Sequence, residues 1–206
     1  TVLTNPAGMV RLAGDQLMVG AQVLHGDLRF SIEPGTSPAL GTGDGGNPVG
    51  WFPGGGLFYT HSLSPDLKLG LAVTGNFGSA VKYEPGWVGR YRAQEGTLLG
   101  VSVLPSIATR INENLSLGAS LNVMYGTLDN TVAVNNIIGT DGSLSLEDTT
   151  WGVGVNLGLL YEVDRGTRFG ITYTSPVKLN FSAQPQWSDL APGLQALLAS
   201  RGLLDA

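Results

Sequence analysis

The chain has 206 residues and a net charge of −5, with 31 glycines and only 13% charged residues, about half the fraction usual for a soluble domain. The acidic balance and the lack of a basic cluster argue against a nucleic-acid partner. The absence of cysteine excludes a disulfide framework and a thiolate metal site.

No run approaches the roughly 18 consecutive apolar residues of a membrane helix; alternating strand patterns fill the chain instead. Asn5-Pro6-Ala7-Gly8-Met9 precedes any strand signal and reads by itself as an irregular leader with a turn. The first strand is expected over residues 16–30, with Leu17, Val19, Ala21 and Val23 on one face, followed by a loop over 31–51 dense in Gly, Pro and Thr. A second strand over 55–63 ends in the compact turn Ser64-Pro65-Asp66. The third begins with Leu67, Leu69, Leu71 and Val73 on one face, then loses its order at Gly75-Asn76-Phe77-Gly78 and again at Pro85-Gly86. Glycine inside a strand marks a bulge, a bend or a close backbone approach, and proline cannot donate to the ladder.

The fourth strand, over 97–109, contains Pro105 and closes with a short turn at 110–114. The fifth alternates cleanly: Leu115, Leu117, Ala119, Leu121, Val123 and Tyr125 against Ser116, Gly118, Ser120, Asn122 and Gly126. Residues 130–148 read as a long polar loop. Trp151, Val153, Val155, Leu157, Leu159, Tyr161 and Val163 then share one parity of the sixth strand, opposite Gly152, Gly154, Asn156 and Gly158. After the turn Asp164-Arg165-Gly166-Thr167, a seventh strand carries Phe169, Ile171, Tyr173, Val177, Leu179 and Phe181 on one face. Ser188 or Asp189 is expected to cap a helix with Pro192 in its first turn, Leu190, Leu194, Leu197 and Leu198 at helical spacing, and Gly202 as its stop.

The weaker face decides the class. A soluble sheet carries charges on its solvent side, whereas the second face of the sixth strand is small and uncharged. That suits an outward face for lipid and an inward face lining a lumen. Trp151 and Tyr161 lie ten residues apart; with a rise of about 3.3 Å per residue and a tilt of about 40°, they bracket roughly 25 Å, the height of an outer-membrane barrel's apolar band. Long and short connections also alternate, as external loops and periplasmic turns do. The expected fold is all-β: a transmembrane antiparallel up-and-down barrel with about seven strands here. Single-chain bacterial barrels have an even number of strands, so the chain is expected to be part of a larger protein.

These residues resemble the FadL/TodX family of outer-membrane transporters for long-chain fatty acids and other hydrophobic compounds. The resemblance spans nearly the whole chain and rests on Trp151-Gly152 through Leu160-Tyr161-Glu162, and on Tyr173-Thr174-Ser175-Pro176-Val177-Lys178 ending at Phe181. Asn5-Pro6-Ala7 resembles the family's N-terminal plug motif, and Asn76-Phe77-Gly78 its kinked third strand. The resemblance implies half of a fourteen-stranded barrel in the Gram-negative outer membrane. Residues 1–14 would end an N-terminal hatch, 15–183 would form strands one to seven, and 184–206 the fourth external loop with its short helix. It implies a passive channel, monomeric at full length and surrounded by outer-membrane lipid or detergent, with no cofactor and no enzyme activity. Ligand would be caught near external loops three and four, enter a pocket in the barrel and leave sideways at the strand-three kink of Gly75, Asn76, Phe77 and Gly78.

From the residues alone, that kink is also readable as an ordinary bulge. Lys178 has lumen parity and, with Lys82 and Arg92, is a candidate partner for a carboxylate; each is equally readable as a solvated side chain. Leu194, Leu197 and Leu198 either offer a surface for first capture or pack on neighbouring loops. Tyr125 is followed by Gly126, Thr127, Leu128 and Asp129, where some family members carry basic residues. This leaves room for a neutral aromatic or alkane. A lipid hydrolase would need a Ser/His pair with an orienting partner; His25 and His61 are the only histidines, Ser62 and Ser64 lie near the second, and His61 has lipid-facing parity. A general porin would want a charged constriction, which these strands lack, and a purely structural barrel is the remaining alternative.

Overall fold

The computed structural model of the chain describes residues 2–164 and 166–204. Seven strands follow one another as antiparallel neighbours: β1 (Gln16–Gly26), β2 (Gly50–Ser62), β3 (Leu67–Lys82), β4 (Glu95–Arg110), β5 (Leu115–Val134), β6 (Gly142–Glu162) and β7 (Arg168–Thr174). A short eighth, β8 (Gln184–Ser188), pairs with the far end of β6, and one helix, α1 (Pro192–Ser200), follows. The result is an up-and-down arc, a half-barrel. Arg165, in the predicted turn, lies outside the described residues.

The arc is built inside out relative to a soluble sheet. On β6 the apolar residues Trp151, Val153, Val155, Leu157 and Tyr161 are exposed, whereas Gly152, Gly154, Asn156, Gly158 and Leu160 are buried. The same division holds on β4 and β5, where Ser102, Ser106, Ser116, Ser120 and Asn122 are buried while Val101, Val103, Ile107, Leu117 and Leu121 are exposed. Leaving so much contiguous apolar surface in water is unfavourable, so the convex face calls for an apolar solvent. Aromatic side chains border it. Trp151 packs on Tyr125 with ring centroids 4.9 Å apart, and Trp51 on His25 at 4.6 Å. Tyr59, Tyr161 and Phe169 stand exposed toward the opposite rim.

Several boundaries depart from the pattern reading. β1 stops at Gly26, four residues earlier than expected, and β2 begins at Gly50, five residues earlier. Residues 130–148 are mostly not a loop. β5 and β6 continue past the aromatic border as a tall hairpin whose ladder runs to Val134↔Gly142, leaving only 135–141 as the connection. Leu144 and Leu146 between serines already carry a strand alternation there, and a polar ladder needs no lipid to hold its backbone hydrogen bonds. Pro105 is accommodated without a change of register: the β4–β5 ladder skips Leu104 and Pro105 between Val103↔Val123 and Ser106↔Ser120.

The seventh strand does not run unbroken to Phe181. β7 leaves β6 after Asn156↔Thr174, and pairing resumes at Glu147↔Gln184. Between these pairs the departing chain uses residues 175–183 and β6 uses 148–155, so one extra residue is spent on the detour. Pro176 removes a donor at its start. Helix α1 is also capped differently. Its N-cap is Ala191, without a side-chain bond, and Pro192 sits at N1, where a missing N–H is harmless. Asp189 instead adopts a left-handed φ of 54°. The helix stop is Gly202 (φ +66°), whose N–H donates to Ala199 O while Leu203 N–H donates to Leu198 O, a Schellman arrangement.

The buried core lies in the concavity. Residues Pro6–Arg11 form a 3-10 helix against the inner faces of β3, β4, β5 and β6. Val2, Met9 and Val10 meet Ala72, Leu104 and Ala108, with Phe58 beside them.

Candidate functional site

Three features share the inner side of the arc: the N-terminal segment at its lower end, an apolar hollow above it, and a break in the wall. The N-terminal segment is held by Asn5. Its Oδ1 accepts from Ala7 N–H at 3.0 Å and its Nδ2 donates to Leu159 O at 3.1 Å. The wall makes room with glycines: any methyl on Gly118 would overlap the Pro6–Ala7 backbone, and one on Gly158 would overlap Asn5 and Pro6. Met9 enters the same way over Gly70, where a Cβ would lie 2.5 Å from its sulfur. Arg11 Nε forms an ion pair with Glu162 Oε1 at 3.1 Å at the rim. Asn5, Pro6 and Ala7 are thus brought together against β5 and β6, with Pro6 and Ala7 buried.

The wall breaks between β2 and β3. Their ladder ends at Gly56↔Thr74, although β2 goes on pairing with β1 to Gly50 and β3 with β4 to Glu95. Residues 50–55 of β2 therefore have a neighbour on one side only, and Pro53 sits at this edge, where proline is tolerated. The cause is Asn76. The β3–β4 register shifts between Gly75↔Val101 and Phe77↔Gly100, leaving Asn76 as the extra residue, its Nδ2 donating to Ser102 Oγ at 2.7 Å. One extra residue exchanges the faces of a strand. Val73 and its partner Val103 are outward, but Phe77 pairs with Gly100 on the inward side, and its ring covers Gly100, where a Cβ would lie 2.5 Å from Cε1. A cavity of about 710 Å³ occupies the break, bordered by Leu24, Phe52, Phe58, Phe77, Leu99 and the glycines of the two strands. The four predicted kink residues are placed together; Phe52, which the pattern reading missed, closes the break from β2. Its signal was faint: one phenylalanine in a proline-glycine stretch between the expected loop and the expected second strand.

Within the detour, residues 175–181 fold over the inner face of β5 and β6. Methyls on Gly152 and Gly154 would strike Val177, and one on Gly126 would strike Leu179 at 2.8 Å and Phe181 at 3.2 Å. Val177, Leu179 and Phe181, expected to share the outward face of Phe169, face the inner glycines instead. Lys178 lies exposed between two of them. Lys82 is bridged to Glu95 at 2.8 Å; Arg92 is exposed and has no ion partner among the described residues. Leu194 and Leu198 are half-buried while Leu197 is exposed, so the three leucines do not form one free face.

Above the wall the external loops interlock. Arg90 Nε bonds Asp141 Oδ2 at 2.6 Å, Tyr91 Oη donates to Asp141 Oδ1 at 2.8 Å, and Arg90 also donates to Leu40 O. Trp87 stacks on Tyr83 at 3.7 Å and donates Nε1–H to Ala93 O. Asn136 joins the hairpin tip to the last loop by accepting from Ala191 N–H and donating to Asp189 O. At the lower rim, His61 Nδ1 lies 2.9 Å from Asp15 Oδ2, while the Ser62 hydroxyl is engaged by Lys68 and Ser64 O.

A family model described as outer membrane protein transport protein (OMPP1/FadL/TodX) matches residues 1–203. The chain is 28% identical over 200 residues to a long-chain fatty acid transport protein of Salmonella typhi, covering 87% of this chain and 45% of that protein. It thus spans about half the length of the curated relatives it matches. Among solved structures, a FadL homologue of Pseudomonas aeruginosa superposes with a TM-score of 0.74 at 18% identity, over 98% of this chain and 52% of that one. The toluene transporter TbuX of Ralstonia pickettii gives a TM-score of 0.67 at 17% identity, over 92% of this chain and 55% of that one. The inside-out strands, the aromatic borders and the family match over residues 1–203 agree: the chain belongs to the OMPP1/FadL/TodX family of outer-membrane transport proteins, and its seven strands are a half-barrel of that fold.

Proposed function

We propose that this half-barrel belongs to a passive channel for long-chain fatty acids or other hydrophobic compounds, and that the transported molecule leaves sideways through the break between β2 and β3. The break itself carries this reading. A hydrophobic molecule loses free energy by entering lipid and gains none by crossing a water-filled pore, so an apolar opening in the wall is the useful exit. Its position beside the buried N-terminal segment fits a hatch formed by Asn5, Pro6 and Ala7, which closes the axial path. Fourteen strands, a monomeric assembly and contact with outer-membrane lipid complete the proposal. The names of the Salmonella typhi and Ralstonia pickettii relatives, a fatty acid and a toluene transporter, support the two substrate classes.

Of the three candidate cations, Lys178 is the best placed to meet a carboxylate, because Lys82 is already paired and Arg92 stands in the external loops. The helix leucines would serve first capture through the exposed Leu197. A second reading, a neutral hydrocarbon, is favoured by the position after Tyr125: Gly126 packs under Leu179 and Phe181, and Asp129 follows with one carboxylate oxygen buried and unpartnered. An acid there opposes a fatty-acid headgroup. The test is uptake of labelled oleate, toluene and a small sugar by the complete barrel and its Gly78→Trp variant in cells lacking other such transporters. Oleate or toluene should enter, sugar should not, and Gly78→Trp should reduce entry while the barrel still folds. Unchanged uptake by Gly78→Trp would remove the lateral exit, and sugar entry would indicate an open porin.

A further inference from the structure

Phe52 lies on the β2 side of the break, half-buried and paired across to Leu24 of β1. Its ring points at Gly78: a Cβ built there would lie 2.5 Å from Phe52 Cζ and 2.8 Å from Cε1. The approach exists only because residue 78 has no side chain. Gly78 lacks a positive φ, so its backbone suits any residue, and what glycine supplies is space for this ring. No ladder pair joins the two strands beyond Gly56↔Thr74; Thr74 Oγ1 donates weakly to Gly55 O at 3.5 Å at the foot of the break, and Lys82 N–H donates to Pro48 O at its top. The cavity lining includes Leu24, Phe77, Leu99 and glycines, with Gln22 and Thr74 as its polar members, and a phenyl ring has no donor or strong acceptor by which they could fix it. An aromatic ring turning about two side-chain torsions in such a seat can swing aside without disturbing the β1–β2 ladder.

We infer that Phe52 is the door of the break: its ring, resting over Gly78, sets the width of hydrophobe that can pass. The inference rests on the lateral exit proposed above. It selects by cross-section and not by charge, since no charged side chain lines the cavity. Thin, flexible chains pass with a small displacement of the ring, whereas fused planar ring systems require it to swing fully away.

The test compares initial uptake rates of labelled oleate and labelled pyrene by the complete barrel in outer membranes, with folded barrel quantified for every variant. Phe52→Ala should raise pyrene uptake several-fold and oleate uptake little. Phe52→Trp should lower both, pyrene more. Gly78→Ala intrudes on the ring without filling the break, so it should slow uptake, and adding Phe52→Ala should restore it. If the pyrene-to-oleate ratio is the same in wild type, Phe52→Ala and Phe52→Trp, or if the double variant stays as slow as Gly78→Ala, Phe52 is not the door. Gly78→Trp separates the two failures. Loss of uptake in that variant alongside inert Phe52 variants would retain the exit and reject the door; no effect in either would reject the exit itself.

Discussion

At the scale of single residues, the inner glycines are seats as much as lumen lining. Gly118 and Gly158 receive the Asn5–Ala7 turn, Gly70 receives Met9, and Gly126, Gly152 and Gly154 receive the chain from Val177 to Phe181. Gly158→Val should therefore dislodge the N-terminal segment, at a cost of about 1–3 kcal/mol for overpacking a filled site, and protease cleavage near Met9 should accelerate in the folded barrel. Unchanged cleavage would mean that the segment is held elsewhere. Asp15 shows a second kind of anchor. It accepts Ser62 N–H at 2.9 Å and lies beside His61, and those bonds, the Ser62 amide first, hold its carboxyl below the ordinary range. A carboxyl depressed in the folded state stabilises above its unfolded pKa and loses that contribution as pH falls through the lower folded value. The stability difference between wild type and Asp15→Asn should accordingly be present at neutral pH and shrink below about pH 4, which denaturation midpoints in detergent would check. The glycine faces were legible as small residues opposite an apolar stripe, but no residue pattern says which later segment fills which glycine, because those contacts are long-range.

At the scale of elements, strand type and order were readable from period-two alternation, and interruptions were readable only where Gly or Pro announced them. The Asn76 bulge was visible in Gly75-Asn76-Phe77-Gly78. Its consequence, the exchange of faces that turns Phe77 inward, depends on the partner register and was not. Deleting Asn76 should give one continuous register through Gly75↔Val101 and Phe77↔Gly100, with Phe77 still inward, and let β3 continue along β2. Uptake should fall with the amount of folded barrel unchanged, whereas normal uptake would separate the bulge from the exit. The detour after Thr174 was missed because Val177, Leu179 and Phe181 preserve the parity of Phe169. Periodicity cannot tell a strand in a ladder from an extended chain folded over the sheet. The tall β5–β6 hairpin was missed for the opposite reason: its polar residues read as loop although they alternate.

At the scale of the molecule, the arc leaves β1 and β7 as edges with unpaired backbone groups. Closure is what removes such edges from barrels. The isolated chain is expected not to form a stable monomeric barrel in detergent; a sharp monomer peak with the heat-sensitive gel migration of a folded barrel would show otherwise. The wall break belongs to this scale as well, since β2 and β3 part there while β1–β2 and β3–β4 stay paired on either side. Its role can be tested directly, since these 206 residues contribute no competing cysteine. With cysteines in place of Pro53 and Ala80, one on each side of the break, a short reductant-cleavable thiol crosslinker would tie β2 to β3 in the complete barrel. Hydrophobe uptake should stop in proportion to the bridged fraction and return when the bridge is reduced; full uptake through a completely bridged barrel would contradict lateral exit at this site.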